Sequence, residues 1–187
     1  MSDNIKPGRS GQSRQAKTSG QHTRSDVFTV VTTERQGEIV ESLAREIWTE
    51  HYTPIIGREQ VDYMLKKFQS QESISQQIRA GIIYFLISSG EEFIGYIAVH
   101  PKGDELFLSK IYVASRQRGS GHGKKAMEFV ESLAKERKLG KIVLTVNKNN
   151  SGSIRAYQKM GFTIAGALIQ DIGSGFVMDD YKMEKMV

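Results

Sequence analysis

The sequence predicts an α/β (α+β) fold, a mixed central sheet flanked by about four helices. Three observations carry this. Apolar runs at 82–87, 93–99 and 106–113 are joined by short turns and read as an antiparallel meander. The run at 106–113 connects to a further strand at 141–146 through an amphipathic helix, which makes that pair parallel. The remaining segments alternate between periods of about 3.6 and 2, giving the order β-α-α-β-β-β-α-β-α-β-β.

Val27 to Val31 is β-branched and aromatic and forms the first strand. Thr33 starts a helix, with Gln36 placed for a capping box. Ile39, Val40, Leu43, Ala44, Ile47 and Trp48 recur on one face of it, and Pro54 and Gly57 are expected to break it. Val61, Met64, Leu65 and Phe68 mark a second helix, which Ile74 and Ile78 extend by a turn or two. After the meander, Ala126, Met127, Val130, Leu133 and Ala134 form one apolar stripe in a helix over 125–137, with Gly140 placed as its stop. Asn150 caps a short helix running to Met160 and closed by Gly161. Strands at 162–169 and 176–186, joined by a turn at 171–175, complete the chain.

At 187 residues, with 39% hydrophobic and 25% charged residues, the chain suits one soluble domain with a sizeable core. The absence of Cys excludes thiol nucleophiles, disulfides and Cys-ligated metals. No apolar run reaches membrane-spanning length and no apolar signal segment opens the chain, so a cytoplasmic protein without membrane partners is expected. The formal charge of +5 is concentrated at the start. Residues 1–26 carry Lys6, Arg9, Arg14, Lys17 and Arg24 against Asp3 and Asp26, with few large apolar side chains. They read as a disordered basic tail preceding a domain at 27–187. Lacking aromatics and a dense basic block, the tail is a weak pointer to nucleic acid, and an idle extension is the simpler reading.

Arg118-Gly119-Ser120-Gly121-His122-Gly123-Lys124 lies between a strand and a helix. Glycines let backbone N–H groups approach a ligand, and a helix's first turn favours an anion, so this loop is a candidate phosphate site. It is neither common nucleotide motif. A P-loop needs G-x-x-x-x-G-K-S/T, whereas Gly119 to Gly123 is one residue short and Lys125 follows Lys124. A dinucleotide fingerprint needs G-x-G-x-x-G and an acid after the next strand, and here position 124 is Lys and the strand ends at Asn147. A tight strand-to-helix turn without a ligand stays open.

Downstream runs Asn147-Lys-Asn-Asn150-Ser-Gly-Ser-Ile154-Arg-Ala-Tyr157-Gln-Lys159-Met-Gly161-Phe162. Together with Arg118-x-x-Gly121-x-Gly123, this resembles the GNAT superfamily of acetyl-CoA-dependent N-acetyltransferases over residues 27–187. The family's pattern is R/Q-x-x-G-x-G/A, then N-x-x-N-x-x-A-I-x-x-Y-x-K-x-G-F. Ser153 replaces the usual Ala, and Gly152 loosens the helix start. Leu108 to Val113 is similar to the family's fourth strand, and the closing stretch from Asp179 to Lys185 to the end of its small-amine subgroup.

The resemblance implies the GNAT fold, with the parallel pair splayed where acetyl-CoA, a co-substrate, binds without a metal. It assigns Ile111, Tyr112 and Val113 to the pantetheine arm through their backbone. Arg118, Gly119, Ser120, Gly121, His122, Gly123 and Lys124 would hold the pyrophosphate, His122 as a loop residue acting through its backbone. Asn150 would contact the arm while also capping its helix. Tyr157 would protonate the departing thiolate, and a phenol of reference pKa near ~10 keeps its proton at neutral pH. Many relatives carry a catalytic Glu near 107 or 109, where this chain has Phe107 and Ser109. Glu105 shares their strand parity and is the candidate base through a water, with amine desolvation or a water wire equally open.

Trp48, Tyr52, Tyr63 and Phe176 could wall the acceptor site, and Glu50, Asp62, Asp171 or Asp179 could attract a cation. His51 and His100 show no metal-ligand pattern. A small-molecule amine such as a polyamine leads as acceptor, ahead of a protein N-terminus or lysine. A non-catalytic acyl-CoA-binding or regulatory module stays open, as does a homodimer.

Overall fold

A computed structural model describes residues 26–187; the expected tail lies outside these residues apart from Asp26, which opens the first strand. The elements are β1 (Asp26–Val30), α1 (Glu34–Ile56), α2 (Arg58–Phe68), α3 (Gln71–Arg79), β2 (Ile83–Ser89), β3 (Glu92–Lys102), β4 (Glu105–Val113), α4 (His122–Glu136), β5 (Lys141–Asn147), α5 (Ser151–Lys159), β6 (Thr163–Gly173) and β7 (Phe176–Met186). One sheet runs in the order β1-β2-β3-β4-β5-β7-β6. β4 and β5 pair in parallel and every other neighbouring pair is antiparallel.

The sheet separates two apolar layers. Val40, Leu43, Ile47, Trp48, Tyr84, Leu86 and Tyr96 pack under α1, α2 and α3. Ile87, Ile97, Leu106, Leu108, Met127 and Val130 pack under α4. Alternate residues of β2 therefore serve different layers, and 84–87 is buried throughout. Each such apolar side chain contributes about 1.5–3 kcal/mol on full burial.

Three elements differ from expectation. Pro54 does not end α1, which runs on to Ile56 and stops at Gly57 (φ 84°). A proline so close to the C-terminus removes one ladder bond, and Ile56 still packs on the core. Ile74 and Ile78 belong to a separate helix, α3, because Ser70 caps a new start by accepting from the N–H of Ser73. α4 begins at His122, since Gly121 (φ 83°) takes the left-handed conformation as its N-cap. His122, Ala126, Val130 and Ala134 then form one buried stripe at four-residue spacing. His122 is thus a helix residue with a buried ring rather than a loop residue, and its Nδ1 lies 2.7 Å from Asp26 Oδ2. The last hairpin is also tighter than expected, with Ser174 (φ 56°) and Gly175 (φ 78°) as its turn.

Candidate active site

β4 and β5 are paired only from Glu105↔Lys141 to Leu108↔Leu144. Beyond Leu108, β4 stays paired with β3 through Val113, and β5 stays paired with β7 through Asn147. The two strands part between these attachments, leaving facing backbone edges without a ladder. A bulge marks the same point: Ala98 pairs with Lys110 and Val99 with Leu108, so Ser109 is the extra residue. It reverses the alternation of β4. Leu106 and Leu108 face the α4 layer, as do Ile111 and Val113, whereas Tyr112 faces the layer of α1 to α3.

The gap opens into a cavity of about 350 Å³ whose walls include Ile111, Tyr112, Val113, Arg118, Gly123, Asn150 and Tyr157. At one end stands α4, whose N-cap Gly121 makes no side-chain cap bond among the described residues. Gly119 (φ 80°) gives the preceding loop its turn. Asn150 is buried and its Oδ1 accepts from the N–H of Ser153 at 3.3 Å, capping α5. Its Nδ2 donates to Nε2 of His51, 3.2 Å away on α1. Burial, then the Arg118 charge, lowers the His51 pKa, which suits an accepting Nε2. Tyr157 packs on Phe162 at 5.7 Å between ring centres, and burial pushes its phenol up, keeping it protonated.

A second cavity, of about 300 Å³, lies on the opposite face of the sheet. It shares Tyr52, Ser109, Lys110, Tyr112, Thr145 and Val146 with the first. Trp48, Met64, Phe68, Ile172 and Met178 supply its apolar wall, and Asp180 and Lys110 are its charged residues. Burial raises the Asp180 carboxyl to about 6, against smaller lowering effects of Thr145 and Lys148. Burial lowers Lys110 to about 8. Tyr52 bridges the two cavities, its hydroxyl 3.4 Å from that of Tyr112.

The acetyltransferase (GNAT) family model matches residues 40–162, a stretch that includes β4, the glycine loop, β5 and α5 but neither β6 nor β7. The chain belongs to the GNAT acetyltransferase family. N-acetyltransferase 8F1 of Mus musculus is 26% identical over 136 residues, 70% of this chain and 57% of that protein. Spermine/spermidine N(1)-acetyltransferase of Bacillus subtilis (strain 168) is 34% identical over 68 residues, 36% of this chain and 45% of that protein. This GNAT chain therefore spans about half the length of these two relatives. Among solved structures, the PaiA N-acetyltransferase of Thermoplasma acidophilum in complex with coenzyme A has a TM-score of 0.70. At 20% identity, over 87% of this chain and 99% of that one, the likeness shows a shared GNAT fold.

Within this GNAT frame, Ile111, Tyr112, Val113, Arg118, Gly123, Asn150 and Tyr157 come together around one cavity. Gly119, Ser120, Gly121, His122 and Lys124 form the adjoining loop and first turn of α4 without lining it. The Lys124 side chain is exposed and lies 3.6 Å from Glu128. Glu105 lines neither cavity. It sits in the paired part of β4, its Oε2 3.6 Å from Lys141 Nζ, and faces a separate recess of about 290 Å³ that also includes Asp180. Among the described residues, no group of three or more His, Cys, Asp or Glu could hold a metal. Nor, among these, is any helix long and apolar enough to cross a membrane.

Of the aromatic residues expected around the acceptor, Trp48 and Tyr52 line the second cavity. Tyr63 instead packs on Phe176 at 5.3 Å and donates to the Ile172 carbonyl at 2.6 Å. The expected carboxylates are engaged elsewhere: Glu50 with Ser115, Asp62 with Arg58, Asp179 with Lys148, and Asp171 with the N–H of Gly173. Asp180 and Lys110 are the charged residues that sequence reasoning did not single out. Strand alternation carried the signal for Asp180, because Tyr181 and Met183 on the α4 face put it on the other. Nothing comparable marks Lys110, whose orientation depends on the bulge.

Proposed function

We propose that the chain transfers an acetyl group from acetyl-CoA to a primary amine of a small molecule by direct attack. The observation that carries this reading is the β4–β5 gap itself, which joins a helix N-terminus without a side-chain cap, a half-buried tyrosine and a second cavity. The backbone edge of Ile111, Tyr112 and Val113 suits an extended, amide-bearing arm, which would complete the interrupted ladder. The loop from Arg118 to Lys124 suits its pyrophosphate, with N–H groups as donors and Arg118 and Lys124 as charge.

The acceptor's amine enters through the second cavity, whose volume suits a small molecule. An alkylammonium of pKa near ~10.4 must first lose a proton. Asp180, in that cavity, accepts it and passes it to water; Glu105, the sequence candidate, is occupied by Lys141. The nitrogen then attacks the carbonyl carbon and the carbon–sulfur bond breaks. Backbone N–H groups of 111–113 stabilise the charge that develops on the carbonyl oxygen. Tyr157 gives its proton to the sulfur and is reprotonated by the second proton that the nitrogen sheds in becoming an amide. Spermine and spermidine are named for one relative and support a small amine as acceptor.

The test pairs thermal shift with free-thiol release. CoA is expected to raise the melting temperature, and acetyl-CoA to release thiol with at least one small amine. No stabilisation at high CoA overturns the reading. Stabilisation without turnover on any amine supports a non-catalytic acyl-CoA-binding module, the reading favoured by Phe107 and Ser109, where the family resemblance leads one to expect a Glu.

A further inference from the structure

Lys110 is 7% exposed, yet it makes no ion pair among the described residues. Its Nζ donates to Gln77 Oε1 at 2.9 Å and to Ser109 Oγ at 3.2 Å, and lies 5.2 Å from the centre of the Tyr84 ring. Gln77 cannot swing away to serve it differently. Its Oε1 also accepts from the Tyr84 hydroxyl at 2.8 Å, and its Nε2 donates to the Phe68 carbonyl at 2.9 Å. An ammonium has three donors, so one is left over. Gln77, Ser109 and Lys110 all line the second cavity.

A buried cation with only neutral partners is costly, and an apolar side chain would serve packing better. Burial lowers Lys110 to about 8, so at neutral pH the group remains mostly charged. The cavity therefore presents one positive and one negative residue, Lys110 and Asp180, on walls otherwise made of amides, hydroxyls and apolar groups. A polycation would satisfy Asp180 and be repelled by Lys110. A plain alkylamine would leave Lys110 as it is. A molecule with an ammonium and an anionic group satisfies both.

We propose that the acceptor carries an anionic group besides its amine, a carboxylate or a phosphate, and that Lys110 binds that group. This rests on the reading of the second cavity as the acceptor site and narrows the acceptor from small amines in general to zwitterionic ones. The amine end goes to Asp180 and the anionic end to Lys110, so the charge pattern selects the orientation as well as the substrate.

The test compares an alkylamine, an ω-amino acid and an ω-aminoalkyl phosphate of equal chain length, with spermidine as the polycation. One readout is kcat/KM by thiol release. The other is equilibrium binding to CoA-loaded protein followed by fluorescence of Trp48, the single tryptophan of the chain and part of the cavity wall. Whichever of the carboxylate and phosphate compounds is the better substrate identifies the anion, and it should exceed the alkylamine by about ten- to a hundredfold, the range of one charged hydrogen bond. Lys110→Met should erase that ratio and raise the melting temperature of the free protein. Lys110→Arg should retain part of the preference. An alkylamine or spermidine that binds and reacts as well as the anionic compounds overturns the proposal, as does an unchanged ratio in Lys110→Met. Failure of CoA to stabilise the protein would instead count against the transferase reading. Fluorescence titration of the CoA-free protein then decides the proposal: tighter binding of an anionic compound than of the alkylamine, abolished by Lys110→Met, upholds it, and equal or absent binding overturns it.

Discussion

Asn150 Nδ2 lies 3.2 Å from His51 Nε2, so the residue that caps α5 is also tied to the C-terminal part of α1. The two helices flank the β4–β5 gap, and both residues line the cavity within it. One amide thus uses its oxygen to start a helix and its nitrogen to fix the position of a neighbouring one.

Replacing Asn150 with Ala should cost about 1 kcal/mol from the lost cap. For a domain of this size that is a fall of about 2–4 °C in melting temperature. The KM for acetyl-CoA should rise as α5 and α1 lose their common anchor, while His51→Ala should raise KM and leave the α5 cap in place. Thermal melts and steady-state kinetics check both.

Tyr157→Phe should lower kcat by about 10²- to 10⁴-fold, the usual contribution of one positioned acid. The Kd for CoA should stay within about twofold, because the ring and its packing on Phe162 are retained. Collapse of CoA affinity in titration calorimetry would make the tyrosine a packing residue.

Asp180 titrates near 6, with Asp179, Lys148, Thr145 and Tyr52 as the groups around it. Activity that needs its carboxylate form should therefore fall off below pH 6. Stability runs the opposite way. A carboxyl whose folded pKa is raised binds its proton more tightly in the native state, so its ionisation costs stability above pH 6, and the cost disappears as pH falls towards 4. Asp180→Asn should be more stable than the parent at pH 7, lose that advantage near pH 4, and lose the acid limb of the kcat/KM profile. Denaturant melts and initial rates at a series of pH values read out the two effects.

Gly95 faces Val113 across the β3–β4 ladder, and a Cβ there would meet the Tyr112 carbonyl oxygen at 2.1 Å. Gly95→Ala should force those strands apart beside the cavity. A loss of about 1–3 kcal/mol is expected, with weaker CoA binding. Thermal melts with and without CoA measure both. A variant as stable as the parent would show that β3 can shift there without cost.

The order of strands and helices was legible in the sequence because most segments follow one period. The meander, the crossover helix and the cap at Asn150 all announce themselves in this way. The first turn of α4 was hidden, because His122, Gly123 and Lys124 carry no apolar pattern and the helix depends on Gly121 adopting positive φ. α3 was hidden because Ser70 interrupts a stripe that otherwise reads as continuous. At the site, Tyr157 and Asn150 were named from their motif and do share a cavity. Lys110 was absorbed into an apolar strand, since a bulge at Ser109 leaves no mark in local composition, and without it parity would give the wrong face. Glu105 illustrates the converse: it shares a face with Phe107, but its partner Lys141 comes from the next strand, a contact between distant segments.

Amide hydrogen exchange of the protein with and without CoA decides whether CoA lies in the β4–β5 gap. Binding in the β4–β5 gap predicts protection at 111–113 and 118–124, with residues 105–108 unchanged, because their ladder with β5 is already complete. Protection confined to other segments, or none at saturating CoA, would contradict it.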